Sequence, residues 1–128
     1  MKNSFTREKS VTDAISYSTC STAVSLDASA IVTATSSGYT ARMVSKFRPS
    51  CPIVATTSNE RVMRQLSLTW GVLPTLSTDG TNTDEVIANS MNAAKENNFV
   101  EENDLVVITA GVPVATSGTT NLIKVETI

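Results

Sequence analysis

The chain contains no histidine among its 128 residues. That absence removes a histidine general base, Ser-His-Asp and Cys-His nucleophile arrangements, and the common histidine-containing zinc sites. Cysteine is nearly absent as well: Cys20 and Cys51 stand 31 positions apart with no CxxC pair. Two thiols make at most one disulfide and no four-cysteine metal site, so a reduced, cytoplasmic chain is expected. Ten basic residues against 12 acidic ones give a net charge of −2, which lacks the basic excess of a nucleic-acid binder. No apolar run approaches the roughly 20 residues of a membrane-spanning helix, and the opening MKNSFTREKS carries no apolar signal core. Neither a nucleic-acid partner nor a membrane is expected.

Hydroxyls are abundant instead. Sixteen Ser and 19 Thr supply small donors and acceptors throughout the chain. Charge is also segregated. Arg42, Lys46, Arg48, Arg61 and Arg64 face the single acid Glu60 between positions 40 and 66. Seven acids from Asp79 to Asp104 then face only Lys95.

Residues 1–9 read as a flexible, solvated lead-in, and the domain is expected over 10–128. The apolar positions Val11, Ala14, Ile15, Cys20, Ala23, Val24 and Leu26 recur mostly at spacings of three and four and predict a helix from about 10 to 26. Ala30 to Ala34 predicts a strand covered on both faces. A turn at Thr35-Ser36-Ser37-Gly38 leads into a second helix, which Arg48-Pro49 ends. The unit repeats: Pro52 to Thr56 predicts a strand, followed by a helix carrying Val62, Met63, Leu66 and Leu68 with Ser58 as its cap. Trp70 to Leu76 predicts a third strand, placed near an edge by Pro74, with Trp70 in the core. Thr83 is expected to cap a long helix bearing Val86, Ile87, Met91, Ala94 and Phe99. Leu105 to Ala110 is the most apolar strand, and Asn121 to Ile128 predicts an antiparallel partner because no helix fits between the two. The predicted fold class is α/β, a three-layer α/β/α sandwich on a mixed five-stranded sheet whose last strand is antiparallel.

Such sheets bind ligands at the carboxyl ends of their strands. The turn after the first strand places Thr35, Ser36, Ser37, Gly38, Tyr39 and Thr40 there, with Arg42 one turn inside the helix as a charge partner. Glycine allows close backbone approach, and free N–H groups with hydroxyls suit phosphate oxygens. A cap at Ser37 and a tight turn at Gly38 account for the same residues without a ligand. A second hydroxyl loop, with Thr116, Ser117, Gly118, Thr119 and Thr120, leaves the same edge if its strand runs parallel to the first; a solvated hairpin connection accounts for it without a ligand. Neither loop matches a Walker or dinucleotide fingerprint, and no side chain reads as an activated nucleophile or a metal ligand.

Four stretches, AIVTATSSGYTARMVSKFRP, CPIVATTSNE, LSLTWGVLP and NDLVVITAGVPVATSGTTNLIKV, resemble in order and spacing the C-terminal α/β domain of pyruvate kinase, bacterial members most closely. The resemblance covers about Ser10 to Ile128. It implies a regulatory domain that grips a phosphate of an allosteric effector on Thr35, Ser36, Ser37, Gly38, Tyr39 and Thr40, with the loop from Gly111 to Thr120 closing over it. It implies too that this domain joins a catalytic barrel, absent here, that transfers phosphate from phosphoenolpyruvate to ADP with Mg2+ and K+. No cofactor and no catalytic residue are expected in this chain, and a homo-oligomer is. The chain departs from fructose-bisphosphate-binding members by having Ser36 and Tyr39 where basic residues often stand, and by having no Lys or Arg over 77–90. A phosphosugar or nucleotide monophosphate then competes with a bisphosphate as the expected effector. Two other readings remain: an oligomerisation domain without an effector, and a flavodoxin-like FMN carrier, for which the six aromatic residues are few.

Overall fold

The computed structural model describes residues 11–110, 120 and 122–128. The lead-in 1–9 and the loop 111–119 lie outside the described residues. In chain order the elements are α1 (Val11–Leu26), β1 (Ala30–Ala34), α2 (Tyr39–Ser45), β2 (Ile53–Thr57), α3 (Glu60–Leu66), β3 (Val72–Leu76), α4 (Thr83–Glu96), β4 (Leu105–Ala110) and β5 (Leu122–Thr127). The sheet order is β3-β2-β1-β4-β5. The first three pairings are parallel, and β4 with β5 is antiparallel, as the short stretch of sequence between them predicts. Pro74 lies in β3, an edge strand, where its missing N–H removes no central ladder bond.

The central strands are unbroken apolar runs because both faces are covered. On one face Ile31, Ile53, Ala55, Val72 and Val107 pack against Cys20 and Ala23 of α1, Ala41 and Val44 of α2, and Val62 and Leu66 of α3. On the other, Val32, Val54, Val106 and Ile108 meet Ile87 and Ala94 of α4, with Met91 and Phe99 at the margin. This is the three-layer α/β/α arrangement.

Several local expectations shift. Helix α1 forms, but Val11, Val24 and Leu26 are exposed, and Thr12, Ser16, Thr19, Cys20 and Ala23 make its buried face. Small side chains let the helix lie close to the sheet, which a row of larger apolar residues would hold off. Helix α2 closes at Ser45, before Arg48. Asn59, rather than Ser58, caps α3, because β2 runs on to Thr57 and moves the turn by one residue. Its Oδ1 accepts the Val62 N–H at 3.1 Å. Leu68 lies beyond the end of α3 and is exposed. At α4 the cap is Asn82, accepting the Glu85 N–H at 2.9 Å, while Thr83 is the first helical residue. That helix ends at Glu96, ahead of Phe99: Asn98 takes φ 62°, and the Phe99 N–H reaches back to the Ala94 carbonyl at 3.0 Å.

Trp70 is the clearest correction. It is 48% exposed, because β3 begins only at Val72 and leaves the indole in the preceding turn. The Arg48 guanidinium lies over its ring, 4.6 Å from the centroid. Together with Pro49, Cys51, Pro52 and Leu73 the indole borders an open cavity of about 480 Å³ at the amino ends of the strands.

Candidate functional site

At the opposite edge, β1 lies between β2 and β4, where the strand order reverses. In open α/β sheets that reversal opens a crevice beyond the carboxyl ends of the strands. The turn Thr35 to Gly38 leaves β1 at this point, and the segment ending at Thr120 connects β4 to β5. The topology therefore brings together two stretches that are 80 residues apart in sequence.

The turn is held from within. Thr35 continues the sheet by donating its N–H to the Thr56 carbonyl at 2.9 Å. Its Oγ1 accepts the Gly38 N–H at 2.8 Å. Gly38 takes φ 87°, a left-handed conformation that side-chain-bearing residues adopt at a cost, and stands at the cap position of α2. Ser37 Oγ accepts the Tyr39 N–H at 3.4 Å, a long bond. Ser36 is exposed, Thr35, Ser37 and Tyr39 are half-buried, and Gly38 and Thr40 are buried.

The two buried or bonded members are already engaged. The Gly38 amide is given to Thr35, and Thr40 Oγ1 meets Thr120 Oγ1 at 2.8 Å. The members left accessible are Ser36 and Arg42, which are exposed, and Thr35 and Ser37, which are half-buried. Arg42 is exposed and has no carboxylate within ion-pair distance among the described residues, unlike Lys46, which reaches Asp13 at 3.7 Å, and Arg64, which reaches Glu60 at 2.8 Å. Its Nη1 lies against Gly38, close enough that a methyl group there would stand 2.7 Å away. The turn thus offers hydroxyls and, in Arg42, a cation without a carboxylate partner among the described residues, a set suited to an anionic group. The predicted Ser117, Gly118 and Thr119 lie outside the described residues. Thr120, the last residue of the predicted hydroxyl loop, is described and is joined to the turn through Thr40; its pairing with Thr40 carries no signal in the sequence beyond its place in a run of hydroxyls.

Residues 13–126 match the family "Pyruvate kinase, alpha/beta domain". The chain belongs to that family. Pyruvate kinase from Clostridium acetobutylicum is 49% identical to it over 121 residues, which are 94% of this chain and 26% of that protein. Pyruvate kinase from Geobacillus stearothermophilus is 50% identical over 121 residues, covering 94% of this chain and 21% of the relative. The Lactobacillus delbrueckii subsp. bulgaricus enzyme is 50% identical over 118 residues, 92% of this chain and 20% of its own length. The chain therefore spans a fifth to a quarter of the curated relatives it matches. As a pyruvate kinase α/β domain it has the mixed five-stranded sheet and flanking helices described above. No helix among the described residues is long and apolar enough to cross a membrane.

Proposed function

We propose that this pyruvate kinase α/β domain is a regulatory module that binds a phosphorylated sugar or nucleotide at the carboxyl edge of β1, in the cytoplasm. The observation that carries this reading is the Thr40–Thr120 hydroxyl bond, which draws two hydroxyl-rich segments onto one edge beside Arg42. The ligand's phosphate is taken by Thr35, Ser36, Ser37 and Arg42. A monophosphate fits better than a bisphosphate, because residues 77–90 contribute Asp79, Asp84 and Glu85 but no cation to hold a second phosphate. Phosphoryl transfer from phosphoenolpyruvate to ADP belongs to the catalytic portion of the larger relatives, so this chain alone is inactive and works by contact with that portion.

Titration calorimetry with ribose 5-phosphate, glucose 6-phosphate, AMP and fructose 1,6-bisphosphate tests the reading. Binding of a monophosphate that Gly38→Asp abolishes is expected. Wild-type protein that binds none of the four, or Gly38→Asp that binds equally well, would overturn it.

Assembly is the second reading, supported by a different observation. Val11, Tyr17 and Val24 of α1 are each more than half exposed, and Tyr17 meets Phe47 edge-on with ring centroids 5.8 Å apart. Large apolar groups turned outward on one helix suit contact with a second copy. Sedimentation is expected to show a dimer that Tyr17→Asp disperses; a monomer at high protein concentration argues against it.

A further inference from the structure

Thr120 stands two residues before β5 and is fully buried, while Thr40, the second residue of α2, is 3% exposed. A solute cannot easily reach either oxygen, and each is already bonded to the other at 2.8 Å. Their contribution is therefore to position rather than to contact. On one side the turn is tied to β2 by the bond from the Thr35 N–H to the Thr56 carbonyl. On the other, Thr120 ties it to β5, which is itself fixed to β4 by the Ala110–Leu122 pairing and by Thr109 Oγ1 donating to the Leu122 carbonyl at 2.9 Å. The turn leaving β1 is thus braced from both neighbouring sides of the sheet.

We infer that Thr120 is a positioning residue of the effector site: through Thr40 it holds the turn at 35–38 in the conformation that receives the phosphate, without touching the ligand. This inference rests on the effector reading. It also assigns Thr40 a role as the partner in the brace rather than as a phosphate ligand.

The test uses the full chain with Thr120→Val, Thr120→Ser, Thr40→Val and the double valine variant. Ribose 5-phosphate and inorganic phosphate are the probes for calorimetry, and amide hydrogen exchange is read at Ser36, Ser37 and Gly38. Thr120→Val is expected to bind about tenfold more weakly and to exchange faster at those three amides, as loss of a buried hydrogen bond predicts. Thr120→Ser keeps the hydroxyl and is expected to restore both. The double variant is expected to be no weaker than either single one, since the two residues act as a unit. Wild-type affinity in Thr120→Val overturns the inference, as do losses that multiply in the double variant, which would make Thr40 a ligand in its own right. If the wild-type chain binds neither probe, the effector reading fails and the effector role of Thr120 with it; the brace is then judged by exchange alone, and unchanged protection at 36–38 in Thr120→Val overturns that too.

Discussion

Arg42 folds its guanidinium back over Gly38, where a methyl group would stand 2.7 Å from Nη1. The relation explains why glycine stands there for two independent reasons. Its φ of 87° disfavours any side chain, and the space above it is filled by Arg42, with Leu66 and Val62 next at 3.2 and 3.3 Å.

Gly38→Ala is expected to destabilise the fold by about 1–3 kcal/mol, combining the left-handed backbone cost with the displaced contacts. Urea unfolding measures it. In an Arg42→Ala background the cost of the same change is expected to fall, because the nearest obstacle is gone. An equal cost in both backgrounds would show that the backbone conformation alone makes glycine necessary.

The start of α4 gives a second prediction. Asn82 caps the helix, while the Glu85 carboxylate accepts the Thr81 N–H at 2.9 Å and the Thr81 Oγ1–H at 2.8 Å. Asn82→Ala is expected to cost about 1 kcal/mol in thermal or urea unfolding. The Thr81 bonds favour the ionised carboxylate and hold the Glu85 pKa below the usual range. A depressed carboxylate stabilises the fold above its unfolded pKa, and that contribution is lost as pH falls through the folded value. Glu85→Gln is therefore expected to flatten the loss of stability below about pH 4.5, seen by comparing unfolding midpoints at pH 7 and in acid.

Burial, with a smaller contribution from Cys51 nearby, pushes the Cys20 thiol up to about 11. The folded chain holds this proton at a pH where the unfolded chain has released it. The resulting stability is present in full below the unfolded value and fades as pH rises toward 11. Alkylation kinetics at pH 8 are expected to show Cys51, which is half-buried, reacting before Cys20. Cys20→Ser is expected to reduce the alkaline loss of stability; an unchanged alkaline profile would contradict this account.

Across the sheet, Thr56 Oγ1 and Ser90 Oγ lie 2.7 Å apart and are both buried. Removing either hydroxyl alone leaves its partner with one bond fewer, at an expected cost of about 1–3 kcal/mol. Thr56→Val with Ser90→Ala together is expected to cost less than the sum of the two, read from a double-mutant cycle of urea unfolding. Additive costs would mean that the bond contributes little to holding α4 on the sheet.

These pairs account for part of the hydroxyl excess. Thr40 with Thr120, Thr56 with Ser90, Ser45 with the Trp70 carbonyl and Thr75 with Asn97 are all ties between elements distant in sequence. Composition announces the supply of hydroxyls but cannot pair them.

The order of elements and the antiparallel last strand were readable from the chain, because runs such as Ile31-Val32 and Val106-Val107-Ile108 suit only strands covered on both faces. The turn at 35–40 was readable too, since glycine among hydroxyls at a strand end marks a special backbone. Trp70 was misread because burial depends on where a strand starts, and a two-residue shift placed the indole in a turn. The inward face of α1 was misread because local spacing cannot say that close packing against the sheet selects Thr12, Ser16 and Thr19 over Val11 and Val24.

Sequence by itself determined the α/β alternation, the absence of histidine chemistry and the family, since periodicity, composition and motif order are local properties of the chain. Only the tertiary structure decided that Thr40 belongs to Thr120, that Arg42 covers Gly38 and that Trp70 lies outside the core. Those relations join residues up to 80 positions apart, and only the packing of the strands and helices brings them within reach of one another.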